Sequence, residues 1–334
     1  MNTRALAAFL ALLVISFPAG AEVNGYLSFD FSRGQRLSRS PHGTFENVEA
    51  GIILFAGPAN RFSALVEGSL RGETPLVEQA WLGYEASRLF NFRIGLFPVP
   101  FGRYNSINRP YLTALVQPPL TIEHLFPRRW KDIGLQVEGG LTGFFYSAYI
   151  GNGLAEDETW PRGQRFADTN ADKGKGFRVG LTLGSNVEAA YSGYWSRYDE
   201  DGKRMLRLQA VDAAWRTADF EVLVERDWVA ADNPDGFAEG KGAGYLVLVS
   251  IFFGGLKPYA SFQSLDIDDS YHGPGFVPGT NPGSGISADR SRWAAGIVFI
   301  PRPDILLKLE YDWNREGEGR IRDDLLSIQA AARF

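Results

Sequence analysis

Apolar and polar residues alternate along most of this chain in runs of about ten. In 303–314, Ile305, Leu307, Leu309, Tyr311 and Trp313 fall on one side, and Lys308, Glu310, Asp312 and Asn314 on the other. In 186–197, Val187, Ala189, Tyr191 and Trp195 oppose Glu188, Ser192 and Ser196; in 23–33, Val23, Leu27, Phe29 and Phe31 oppose Asn24, Ser28 and Asp30. A period of two puts successive side chains on opposite faces of a strand. About sixteen such strands are expected: 23–33, 46–55, 60–71, 76–86, 89–97, 131–139, 142–151, 174–184, 186–197, 204–216, 218–229, 243–253, 256–265, 290–300, 303–314 and 323–334. In the twelfth, GYLVLVSIFF is apolar on both faces, so its register stays open.

The connections alternate in length. Gly57-Pro58-Ala59, Gly139-Gly140-Leu141, Gly184-Ser185-Asn186, Thr217-Ala218-Asp219 and Gly254-Gly255 suit tight hairpins, where Gly and Asn accept positive φ. The intervening connections, 34–45, 98–130, 152–173, 230–242 and 266–289, are longer and polar. Short turns at one end and long loops at the other predict an all-β fold: a transmembrane antiparallel up-and-down β-barrel with one face to lipid and one to a polar lumen. The longest connection, 98–130, is the third external loop. Its prolines at Pro98, Pro100, Pro118 and Pro119 stiffen its ends, and its length predicts a functional segment folded into the pore.

The ends of the chain agree with this location. Arg4, an apolar run from Ala5 to Phe17 and the site Ala19-Gly20-Ala21 predict a secretory signal over 1–21 and a barrel over 22–334. The last strand places Leu326, Ile328, Ala330, Ala332 and Phe334 on one face, the pattern of an outer-membrane assembly signal in a Gram-negative bacterium. Trp195, Trp228, Trp293 and Trp313 near strand ends suit an interfacial girdle. The 334 residues include 38 glycines and no cysteine, so disulfides, thiolate metal sites and thiol nucleophiles are excluded. With a net charge of −5, no nucleic-acid partner is expected.

The stretch QAWLGYEASRLFNFRIGLFPVPFGRYN, followed by RPYLT, PRRWKDIGLQVEG and YIGNG, resembles the phosphate-selective porin family (the porin O and P type). The carrying positions are Gly95, Phe97, Pro100, Phe101 and Gly102 where the fifth strand enters the loop, then Pro127, Arg129 and Gly134 where the barrel resumes, the last two spaced slightly differently. The resemblance covers about a quarter of the chain. It implies a sixteen-stranded trimeric diffusion channel with an anion-binding constriction. Phosphate-selective members use many lumenal lysines; lysine is scarce here, which argues against carrying over phosphate specificity.

A pore acts through the charges that line it. The third loop carries Arg103, Arg109, Arg128, Arg129 and Lys131 against Glu123 and Asp132. Arg61, Arg71, Arg93, Arg178 and Arg207 are expected to face inward. Glu221, Glu225, Asp227, Glu310 and Asp312 form an expected acidic wall opposite. The alternative for each is an ion pair that pins the loop to the wall. The expected function is therefore a porin passing small, anionic solutes, in contact with outer-membrane lipid and lipopolysaccharide. Two other classes stand beside it: a barrel for less polar substrates, suggested by Phe144, Phe145, Tyr146 and Tyr149, and a sheath or anchor for a partner protein.

Other patterns are weaker. Asp168, Asn170 and Asp172 space like a calcium loop, but Lys173 takes the glycine position. Asp199, Glu200 and Asp201, with Asp266, Asp268 and Asp269, are acidic tips that suit solvent or divalent ions bridging lipopolysaccharide. Gly240, Gly242 and Gly244 lack the strand–helix context of a dinucleotide loop. His42, His124 and His272 are isolated. No enzyme activity, cofactor or metal is expected.

Overall fold

In the computed structural model the described residues are 21–157, 160–164, 166–168, 170–272, 289–317 and 321–334. All of the expected signal but Ala21 lies outside them. The strands are β1 (Glu22–Gly34), β2 (Thr44–Ala59), β3 (Phe62–Arg71), β4 (Thr74–Glu85), β5 (Asn91–Pro98), β6 (Lys131–Leu141), β7 (Phe144–Gly151), β8 (Leu154–Ala155) and β9 (Gly163–Gln164). They continue with β10 (Gly174–Leu183), β11 (Val187–Arg197), β12 (Met205–Arg216), β13 (Phe220–Ala231), β14 (Gly240–Ile251), β15 (Leu256–Asp269), β16 (Arg290–Arg302), β17 (Ile305–Glu316) and β18 (Leu325–Arg333). β8 and β9 form a small hairpin of their own. The other strands, sixteen in all, pair antiparallel with their sequence neighbours, and β1 pairs with β18 to close the barrel. Each expected strand is present, with ends shifted by a few residues.

Closure is fixed by Tyr26 opposite Arg333 and by a mutual backbone pair between Gly25 and Phe334, at 2.6 and 2.9 Å. The barrel sheet has no open edge, so its strand backbone groups are satisfied internally, which a hydrocarbon surround requires. The outer face carries Leu27, Phe29, Ile94, Leu135 and Leu309, all exposed. Ser28, Asp30, Glu67, Glu225 and Glu310 point the other way and are buried. A face this apolar would be an aggregation surface in water and is a natural one in lipid. Trp293 lies opposite Trp313 on the outer face near the long-loop end, and Trp195 is exposed on the same side.

The structure settles the open register of the twelfth barrel strand. Leu246, Leu248 and Ser250 are buried inside; Val249 and Ile251 are exposed outside. Three expectations change. Arg207 faces outward, because the buried set on β12 is Leu206, Leu208 and Ala210, and it pairs with Asp232 and Glu239 at the rim. Arg61 lies in the β2–β3 turn at φ 71°, not on a strand. The β7 aromatics divide by period: Phe144 and Tyr146 follow exposed Ile150 outward, while Phe145 and Tyr149 face inward.

Candidate functional site

Residues of the segment between β5 and β6, with Lys131 at the start of β6, bond to side chains of β2, β3, β4, β11, β13, β15, β17 and β18. Pro98 and Pro100 end the β5 ladder, since proline cannot donate to it. Gly102 follows in the left-handed region, φ 60°, and a Cβ there would sit 2.6 Å from Glu225 Oε1. This turn aims the next backbone amides at the wall. Arg103 and Tyr104 N–H donate to Glu225 Oε2 at 2.7 and 2.8 Å, and Gly102 N–H donates to Ser192 Oγ at 3.2 Å. A short helix, Arg103–Ile107, begins on that carboxylate.

The far arm repeats the device. Val116 and Gln117 N–H donate to the two oxygens of Glu310, at 3.0 and 2.7 Å, while Tyr259 Oη donates to the same carboxylate at 2.8 Å. Leu120 N–H donates to Gln263 Oε1 at 3.1 Å, opening a second short helix, Leu120–His124. This helix lies against Gly242 and Gly244 of β14. A Cβ at Gly244 would come 2.6 Å from Thr121 Cγ2, and one at Gly242 3.2 Å from Leu125 Cδ2. The alternate glycines therefore make room for the loop. Around them Leu120, Ile122, Leu125, Phe126 and Trp130 share one apolar cluster with the wall residues Leu208, Leu223, Leu246 and Leu265.

The expected cations divide sharply. Arg129 is buried, bonds both oxygens of Glu49 (2.9 Å to Oε2) and donates from Nε to Asn108 O at 2.8 Å. Arg109 makes a forked pair with Glu67 at 3.2 Å. Lys131 pairs with Glu78 at 3.0 Å, and Arg103 with Glu188 at 2.7 Å. Arg93 stands apart from the loop cluster, near the short-turn end of β5. It pairs with Glu138 on β6 and lies over the Trp81 ring at 4.8 Å. Arg128 alone among the six is exposed and makes no hydrogen bond or ion pair with any described residue.

The acidic wall divides likewise. Glu225 and Glu310 hold loop amides, and Glu221 pairs with Lys257 at 2.6 Å near a short turn. Of these, Glu225 and Glu310 are ties to the loop, and Glu221 is bound between strands of the wall itself. Both oxygens of Asp312, and Oδ1 of Asp227, are buried without a hydrogen-bond partner. Asp168 pairs with Lys173 and accepts from the Asn170 backbone N–H, while Asn170 and Asp172 bond to Arg197 and Asp199.

On the long-loop side of the segment lies a cavity of about 560 Å³. Among its described lining residues, six arginines (Arg39, Arg128, Arg162, Arg290, Arg292 and Arg315) outnumber the acids Glu123, Asp157, Glu316 and Asp323. Glu123 is taken by Arg292 at 2.8 Å, and the Arg292 pair lowers its carboxyl despite burial. His124, in the same lining, has its pKa pushed down to about 4 by burial, so it adds no charge at neutral pH. Arg290 Nε is buried without a hydrogen-bond partner among the described residues.

No protein-family model matches the chain. An uncharacterized protein of Aquifex aeolicus is 27% identical over 174 residues, 48% of this chain; the match spans 39% of that relative's length. An anion-selective porin from Comamonas acidovorans superposes with TM-score 0.67 at 11% identity, covering 94% of this chain and 98% of the other. OmpF of Salmonella typhi, in complex with daunomycin, gives 0.66 at 11%, covering 94% and 97%. OmpT of Vibrio cholerae gives 0.66 at 11%, covering 94% and 96%. The fold is that of the sixteen-stranded porins. At this identity the likeness speaks for the barrel and not for its solutes, and the narrower resemblance to phosphate-selective porins is not extended by it.

Two elements of the site escaped the sequence. The arginines of the cavity wall, Arg290, Arg292 and Arg315, sit on strands far from the loop, and only the closed barrel brings them to it. The loop-seating role of Gly242 and Gly244 had a readable signal, glycine at alternate positions on one strand face.

Proposed function

We propose that this protein is an outer-membrane porin, a water-filled channel for passive diffusion of small solutes. In this reading the segment 98–130 narrows the pore, and a weak anion preference is set at its entrance by Arg128. The observation that carries the proposal is Arg128 itself: a permanent cation, exposed and unpaired among the described residues, in a cavity whose described lining has more arginines than carboxylates. In a narrow site of low effective dielectric, such a charge outweighs distant loop charges that salt screens within about 10 Å at 0.1 M. Support also comes from the fold shared with an anion-selective porin. A homotrimer fits the same reading, since one Vibrio cholerae neighbour is described in a trimer form.

The test is conductance in planar bilayers across a potassium chloride gradient. An open pore whose reversal potential lies toward chloride is expected. A barrel that carries no current would favour the sheath or anchor class, and a potential toward potassium would reject the anion preference. Adding inorganic phosphate to one side tests solute class: a current block by phosphate at concentrations where chloride does not block would favour the phosphate-selective relation.

A further inference from the structure

The outer face changes character across β11–β14 near the long-loop end. Residues paired across strands share a face, so the register lays out its rows. Trp195 on β11 pairs with Arg207 on β12, Arg207 with Ala230 on β13, and Ala230 with Lys241 on β14. One step toward the short turns, Gln209 lies opposite Trp228, and Trp228 opposite Ala243. One step further, Val211 lies opposite Arg226, and Arg226 opposite Tyr245. Arg207, Arg226 and Lys241 are all exposed on this outward face.

Two of these cations are answered. Arg207 pairs with Asp232 and Glu239, and Lys241 lies 3.6 Å from Glu239. Arg226 makes no hydrogen bond or ion pair with any described residue. Its guanidinium carbon sits 5.1 Å from the centre of the Trp228 ring, on the long-loop side of its own backbone. The arm therefore runs along the indole from the lipid-facing wall toward the interface, as arginines on such a surface do. A lone cation in hydrocarbon is costly, and the cost falls steeply at the headgroup level. Beside it is a groove of about 370 Å³, lined by Arg207, Gln209, Trp228, Val229, Ala230 and Glu239. The Gln209 amide is exposed and has no hydrogen bond to a described residue. Val211 beside Arg226, then Val224 and Val249 nearer the short turns, give an exposed apolar track below the groove.

We propose that this patch binds one phosphorylated lipid of the outer leaflet, the glycolipid anchor of lipopolysaccharide. Arg226 and Arg207 bracket its phosphate from below and above, where a guanidinium fork fits the oxygens. The Gln209 amide takes a sugar hydroxyl, the Trp228 ring faces the sugar, and the acyl chains follow the valines. The charge count favours an anion: Arg207, Arg226 and Lys241 stand against Asp232 and Glu239, and Arg226 is the surplus. The patch ends at β15, where exposed Asp266 lies opposite Ala243. The proposal rests on the outer-membrane placement in the porin reading and not on conduction.

Native mass spectrometry of the full chain in neutral detergent tests it, with diphosphoryl lipid A and the same lipid stripped of phosphate as probes. The wild type should bind the phosphorylated form more tightly. Arg226→Gln should weaken that binding about tenfold, the loss of one charge-assisted contact, and Arg226→Lys should restore part of it. Arg302→Gln, in an exposed short turn where Arg302 pairs with Asp304, should bind as the wild type does. Thermal unfolding of Arg226→Gln in lipid-free detergent should match the wild type, which separates lost binding from lost folding. Wild-type affinity in Arg226→Gln, or equal affinity of the wild type for both lipids, would overturn the site. So would an oligomer that Arg226→Gln dissociates without lipid, which would assign the patch to a second copy of the chain. Binding is read without current, so a barrel that proves closed leaves the site standing, and a conducting barrel that ignores the lipid overturns the site alone.

Discussion

The wall of β2–β4 and the wall of β12–β15 hold the same loop by opposite means. On the first, Glu49, Glu67 and Glu78 bind Arg129, Arg109 and Lys131 in buried, directional pairs. On the second, Ile122, Leu125 and Phe126 lie in an apolar cluster made possible by Gly242 and Gly244. Ion pairs fix the loop's position strictly and fail badly when one partner is lost; apolar packing tolerates small changes of shape. The difference shows how to sort charges inside this barrel. Those with buried partners are structural, and the charge available to a solute is the one left over.

The largest effect is expected from breaking the charged side. Glu49→Ala strands Arg129 with no full counter-charge and should cost about 3–5 kcal/mol. The loop should loosen, seen as new protease cleavage within 98–130 and higher single-channel conductance, with the barrel retained. Unchanged cleavage and conductance would mean that the apolar side alone holds the loop. On the apolar side, Ile122→Val should cost about 1 kcal/mol and leave conductance intact, measured by thermal unfolding in detergent. A loss as large as that of Glu49→Ala would erase the contrast between the walls. Arg103→Ala should cost at most about 1 kcal/mol, because its pair with Glu188 is partly exposed, with side chains 25% and 32% accessible. A larger loss would place Arg103 among the structural ties.

Strands and topology were legible because a half-buried strand writes its two faces directly into the sequence at period two. β14 was the exception. Its inner face is lined by Leu246 and Leu248, packed on the loop, so both faces are apolar and the pattern vanishes. The charges were legible as a set but not by role. Arg103 meets Glu188 across 85 positions of sequence, a partner that only the closed barrel supplies. Arg128 and Arg129 are adjacent in sequence and opposite in fate. Arg129 adopts a left-handed backbone, φ 53°, and its side chain goes to the wall while Arg128 stays in the cavity. No alternation rule applies to such a turn.

The central claim is that a pore entered past Arg128 owes its anion preference to that residue. The most direct measurement is the reversal potential of Arg128→Ala beside the wild type, in the same potassium chloride gradient. Arg128 has no partner among the described residues to strand, so thermal stability should stay within about 0.5 kcal/mol of the wild type. The account predicts a shift toward potassium at unchanged stability. A reversal potential identical to that of the wild type would contradict it.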